Sequence, residues 1–127
     1  VAQGHGTIVN TASLAAKVGA PLLAHYSASK FAVLGWTQGL ARELAPKGIR
    51  INVVSPGPIK FPGGNWEALK DLAPDLYNAT EAAFAMGRWG GPEEVAKTIV
   101  FLASPASSYT TGANVVIDGG YTKGVRF

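Results

Sequence analysis

The feature that most constrains this chain is the spacing of its apolar, β-branched runs. "GTIVNTAS" (6–13), "IRINVVSPG" (49–57) and "GANVVIDGG" (112–120) each have a short apolar centre and run out into small or turn-forming residues. Long segments with helical character separate them. Antiparallel strands can be joined by two residues, but parallel strands need a crossover of a dozen or more, usually a helix. The order strand, helix, strand, helices, strand therefore predicts α/β architecture. The sheet would be parallel, with helices on both faces, as a doubly wound fold or part of one.

The connections can be read in more detail. "AAKVGAPLLAH" (15–25) reads as a connection containing Gly19 and Pro21. From about Tyr26 to Ala45 the pattern is helical, with Phe31, Leu34, Leu40 and Leu44 at suitable spacing for an inner face. Pro46, Lys47 and Gly48 stop it. Pro56-Gly57 breaks the second strand sharply. Beyond it, "NWEALKDL" (65–72) and "ATEAAFAM" (79–86) predict two short helices among several Pro and Gly residues. Pro92 suits the first turn of a further helix, with Glu93 and Glu94 at its acidic start. Val95, Ile99 and Leu102 form its inner stripe, and Ser104-Pro105 ends it.

Composition says what surrounds this sheet. Only 15% of the 127 residues are charged and 47% are hydrophobic, where roughly a quarter charged is usual for a soluble domain. A surface so poor in charge implies cover from a partner subunit or from another part of the same polypeptide. The first strand is apolar and would be a bare edge unless a further strand paired with it. These features together predict the C-terminal part of a larger domain.

Several function classes recede. The net charge is +3 and the basic residues are scattered, so no nucleic-acid footprint is expected. Cysteine is absent, which excludes disulfides and thiolate chemistry. No apolar run reaches the roughly 18 residues of a membrane span, and the cytoplasm is the default expectation. His5 and His25 are far apart and without ligand-like company, so no metal site is expected.

In open parallel sheets, ligands bind beyond the carboxyl ends of the strands. Ser13 lies just past the first strand, Tyr26 and Lys30 begin the following helix, and Pro56 and Gly57 follow the second strand. All of them collect at one rim. Tyr26 and Lys30, four residues apart, share a helix face. A phenol, with a pKa of about 10, is a poor acid at neutral pH, and a nearby ammonium favours its ionised form. The pair is either a proton-transfer device or a surface tyrosine beside a solvated lysine.

The chain resembles the classical short-chain dehydrogenases/reductases. Ser13, then Tyr26, then Lys30 is similar to that family's Ser…Tyr-x-x-x-Lys site. "GTIVNTAS", "YSASKFAVLGWTQGLARELAPKGIRINVVSPGPI" and "SYTTGANVVIDGG" resemble its surroundings, in the family's order and spacing. The flavour is that of the 3-oxoacyl-acyl-carrier-protein reductase-like and sugar or alcohol dehydrogenase branches. The resemblance implies a Rossmann-like domain and an oxidoreductase using NAD or NADP to interconvert a carbonyl and an alcohol. Tyr26 would be the general acid or base, Ser13 would hold the substrate oxygen, and Lys30 would assist Tyr26 and bind the nicotinamide ribose. Pro56, Gly57 and the backbone of Ile59 would meet the nicotinamide, and Asn10 and Thr11 would line the cofactor side. For Asn10 the plainer role is to satisfy backbone groups at the strand end.

The resemblance weakens between Lys60 and Trp89. Where many members carry a threonine shortly after the isoleucine, this chain has Phe61. Residues 60–89 would be the substrate lid, with Gly63, Gly64 and Gly87 as hinges. Their aromatic and apolar side chains would form either a pocket wall or a satellite core. Ala28, Ala32, Gly35 and Gly39 put a strip of small residues on the long helix, where the family builds homodimers and homotetramers. Neither the family's Gly-x-x-x-Gly-x-Gly loop nor its upstream active-site asparagine occurs in these residues. The resemblance thus implies an upstream half of the same domain as a partner. Without that half, tight NAD(P) binding and a monomeric state are not expected. The alternative is a truncated or catalytically silent homologue serving as a structural and oligomerisation module.

Overall fold

The computed structural model of the chain describes residues 2–20 and 23–123. Three parallel strands lie side by side in the order β1 (Gly6–Thr11), β2 (Ile49–Pro56), β3 (Asn114–Ile117). Between β1 and β2 come a one-turn helix, α1 (Ala15–Val18), and a long one, α2 (Ala24–Leu44). Between β2 and β3 come α3 (Asn65–Leu72), α4 (Pro74–Ala82) and α5 (Pro92–Ala103).

Side chains alternate across the buried central strand, as a pleated strand requires. Val53 packs with Ala12, Ala16 and Leu34 beneath α2. Its neighbour Val54 packs with Val95 and Leu102 of α5. The sheet is therefore covered on both faces, as the sequence predicts. The inner stripe of α5 is also the expected one, with Ile99 packed against Val95 and Leu102. Among the described residues β1 is paired on one side only, and Ile8 is 38% exposed.

Polar side chains lock this arrangement. Arg50, an arginine inside an apolar strand, donates to the carbonyls of Leu102 at 3.0 Å, Ser104 at 3.1 Å and Thr110 at 3.2 Å. A cation here satisfies carbonyls that the end of α5 leaves without helical partners. Asn52, fully buried, donates to the Thr110 carbonyl at 2.9 Å and accepts from the Ala113 N–H at 3.0 Å, fixing the entry to β3.

The structure corrects the bounds of two helices and one face. The predicted helix over 79–86 is instead Pro74–Ala82, because Pro74 occupies the first helical turn, where its missing N–H costs nothing. Met86 has left that helix and donates its N–H to the Gly119 carbonyl at 3.1 Å. The link over 15–25 contains α1 and the start of α2 at Ala24. β3 occupies Asn114–Ile117 within the run 112–120, and Gly119 and Gly120 at positive φ make the turn after it, as expected. The buried line of α2 is Leu34, Thr37 and Ala41; Phe31, expected inside, is 62% exposed. The end of α2 is as expected: a 3-10 turn over Ala45–Lys47, then Gly48 at φ 71°, a left-handed conformation that favours glycine.

Candidate active site

The rim beyond β1 and β2 is built from backbone. The ladder between the two strands continues past the end of β1, with Ala12 N–H donating to Val54 at 2.8 Å and Leu14 N–H donating to Pro56 at 2.9 Å. These two bonds hold Ser13 between them. The Ser13 hydroxyl oxygen accepts from the Ala15 N–H at 3.2 Å, which starts α1. At the end of β2, Gly57 N–H donates to the Ile117 carbonyl at 2.8 Å. A Cβ on Gly57 would stand 2.6 Å from the Asp118 Cβ and 2.9 Å from its Cα, so only glycine lets these strand ends approach.

Tyr26 stands in the first turn of α2 and is 39% exposed. Lys30 follows one turn later, on the line that continues through Leu34, Thr37 and Ala41 toward the sheet. Its ammonium donates to the Thr11 carbonyl at 3.1 Å and lies 5.8 Å from the centre of the Tyr26 ring. One of the three ammonium donors is thereby used.

Two clefts meet at this rim. The first, about 560 Å³, is bordered by Thr11, Lys30 and Ile59 together with Ser13, Tyr26, Pro56 and Gly57. The second, about 480 Å³, shares the last four of these and reaches α1, α3 and α4. Asn65 and Trp66 border both. Ile59 forms an isolated bridge to Gly90, but the hydrogen bond to the Gly90 carbonyl, 2.9 Å, comes from the Lys60 N–H. The N–H and C=O of Ile59 have no hydrogen-bond partner among the described residues.

The structure therefore brings Thr11, Ser13, Tyr26, Lys30, Pro56, Gly57 and Ile59 together. Asn10 stands apart and borders neither cleft. As the neighbour of Thr11 on a strand it points to the opposite face, where its amide donates to the buried Thr37 hydroxyl at 3.0 Å. Sequence reasoning passed over His25 and Tyr121 at this site, while Trp66 belongs to the 60–89 segment, for which a pocket wall is one of the two expectations. His25 had one signal, its place beside Tyr26. Tyr121 arrives from beyond β3, a placement that no local pattern encodes.

Residues 60–89 hold a compact aromatic group. Trp89 stacks on Tyr77 at 4.8 Å, meets the edge of Phe84 at 5.1 Å and tilts against Trp66 at 5.1 Å. The Lys60 ammonium donates to the Tyr77 hydroxyl at 2.8 Å, and that bond is the main cause raising the lysine pKa above its ordinary value. Tyr77 and Phe84 are buried as a satellite core, while Phe61 and Trp66 border the clefts. Chemically, the site offers a hydroxyl and a phenol at one opening with an ammonium behind. Among the described residues no group of three His, Cys, Asp or Glu is placed to hold a metal, and no helix is long and apolar enough to cross a membrane.

Known proteins resemble this chain in sequence and in fold. The family described as Enoyl-(Acyl carrier protein) reductase matches residues 1–122. Isoepoxydon dehydrogenase of Aspergillus clavatus is 46% identical over 104 residues, which are 82% of this chain and 40% of that protein. A 3-oxoacyl-[acyl-carrier protein] reductase of Brucella melitensis, solved with bound NAD, aligns with a TM-score of 0.80 at 38% identity, covering 94% of this chain and 42% of the other. A protein of Agrobacterium tumefaciens, provisionally a 2-deoxy-d-gluconate 3-dehydrogenase and solved with bound NADP, gives 0.87 at 40% identity, covering 94% and 48%. The chain spans less than half the length of each of these relatives. The match runs along nearly the whole sequence and the parallel sheet superposes on theirs: the chain belongs to the short-chain dehydrogenase/reductase family.

Proposed function

We propose that this chain supplies the catalytic half of an oxidoreductase that interconverts a carbonyl and an alcohol with NAD or NADP. The observation that carries the reading is the shared border of the two clefts, where Ser13 and Tyr26 stand together with Lys30 behind them. The nicotinamide, when bound, supplies or accepts the hydride. Tyr26 gives its proton to the carbonyl oxygen in reduction and takes one from the alcohol in oxidation. Ser13 donates a hydrogen bond to the same oxygen, keeping its own proton, and fixes the substrate. The Lys30 charge stabilises the negative charge that develops on the phenol oxygen.

The residues fit the nicotinamide end of such a cofactor. Ile59 offers an unengaged N–H and C=O to an amide, and two donors of the Lys30 ammonium remain for ribose hydroxyls. Phe61 offers no hydroxyl at the first cleft. No Gly-x-x-x-Gly-x-Gly run occurs in the chain, so the pyrophosphate would be held by residues outside it, in an upstream half of the domain. Residues 60–89 act as the substrate lid, anchored through Lys60 to Gly90 and Tyr77. The outer face of α2 packs against a second copy. It exposes Phe31 and Trp36 beside Ala28, Ala32, Gly35 and Gly39, and a Cβ on either glycine meets nothing within 4 Å.

The test is Tyr26→Phe in the full-length polypeptide that carries this segment. Carbonyl turnover should fall by about 10²–10⁴, with NAD(P)H binding and circular dichroism retained. Turnover at the wild-type level would remove Tyr26 from the acid–base role.

A further inference from the structure

The second cleft has a wall without carboxylate, ammonium or guanidinium among the described residues. Leu14, Val18, Leu23, Trp66, Leu69 and Leu76 are its large apolar side chains. Three of these, Val18, Leu23 and Leu76, are large apolar side chains left exposed at its surface. Lys30 borders the first cleft and not this one, and Lys60 is bonded to Tyr77. An anion entering here would shed its hydration and meet no lysine or arginine to replace it. A hydrocarbon ring or chain would instead bury apolar surface. Beyond Ser13 and Tyr26, the polar groups of the wall are the side chains of His25, Asn65 and Tyr121 and the indole N–H of Trp66, which suit a second neutral oxygen.

We infer that the carbonyl compound taken by this cleft is uncharged and largely hydrocarbon, an alicyclic or aliphatic ketone or its secondary alcohol, and not a carboxylate or phosphate ester. The inference rests on the oxidoreductase reading above and adds the substrate class to it.

The experiment uses the full-length polypeptide with NADH and NADPH. It compares kcat/KM for cyclohexanone with kcat/KM for acetoacetate and dihydroxyacetone phosphate. Cyclohexanone should be preferred at least about tenfold. Leu76→Lys, at an exposed position that tolerates a long side chain, should shrink that preference by about two- to fivefold. Preference for either anion would overturn the inference alone, as would a ratio that Leu76→Lys leaves unmoved. No reduction of any of the three, nor of a wider panel of ketones, would overturn the oxidoreductase reading and this inference with it.

Discussion

The ammonium of Lys30 donates a 3.1 Å hydrogen bond to the backbone carbonyl of Thr11. The bond ties the second turn of α2 to the last residue of β1, so the charge behind Tyr26 is positioned by the sheet and not by solvent. Lys30→Met should leave the fold intact, because an apolar chain of similar length fits the same line of α2. In the full-length polypeptide, kcat/KM should fall by about 10²–10³, and NAD(P)H should bind more weakly. Steady-state kinetics and calorimetry would check both; unchanged values would take Lys30 out of the site.

Gly57 is where the ends of β2 and β3 come within contact of each other. Gly57→Ala places a Cβ 2.6 Å from the Cβ of Asp118, and backbone has to move to relieve it. The cost should be roughly 1–3 kcal/mol, as for overpacking elsewhere. Urea denaturation of the two proteins measures it. A midpoint equal to the wild type would show that the strand ends are not held as described.

Arg88 grips Glu94 with two bonds, of 2.9 and 2.7 Å, and the Gly91 N–H adds a third at 2.9 Å. These bonds, those from Arg88 first, lower the Glu94 pKa to about 2 from its ordinary 4.5. A carboxylate lowered in the folded state stabilises the fold above the unfolded value, and the contribution fades as pH falls toward the folded one. Glu94→Gln, which keeps an oxygen for Gly91, should therefore weaken the fold near neutral pH. The gap from wild type should narrow between about 4.5 and about 2. Urea midpoints across that range test the sign; a gap that widens on acidification contradicts it.

Trp36 is 56% exposed on the outer face of α2, next to Gly35 and one turn from Gly39. If a second copy covers this face, Trp36→Glu buries a charge at the contact and should shift the assembly to smaller species. Light scattering of the full-length polypeptide reads the mass directly. An unchanged mass would place any subunit contact elsewhere.

Much of this protein was legible before any coordinates. The three strands, the long helix with its stop at Pro46 and Gly48, and the inner stripe of α5 follow from local periodicity and chain-breaking residues. Ser13, Tyr26, Lys30, Pro56 and Gly57 converge because parallel strands joined by helices all end at one rim. That convergence is a property of the order of elements, which the sequence carries.

What needed tertiary structure is whatever depends on a partner distant in the chain. Asn10 turns from the rim because Thr37, on α2, offers it a buried hydroxyl. Residues 79–86 look helical, yet Pro74 starts the helix early and Met86 is drawn to Gly119 beyond β3. Phe31 has the spacing of an inner residue, but the sheet lies under Leu34, Thr37 and Ala41, and Phe31 is left outside. Periodicity states that a helix has a face; it does not state where the sheet will be. The wall of the second cleft, without lysine, arginine or carboxylate, belongs to the same class, since it joins α1, α3, α4 and Tyr121 across about a hundred residues. Local sequence decides which elements form and in what order, because those choices cost or gain free energy within a few residues. Their contacts are decided by burial of surface between elements far apart in the chain, and that is settled only when the whole chain packs.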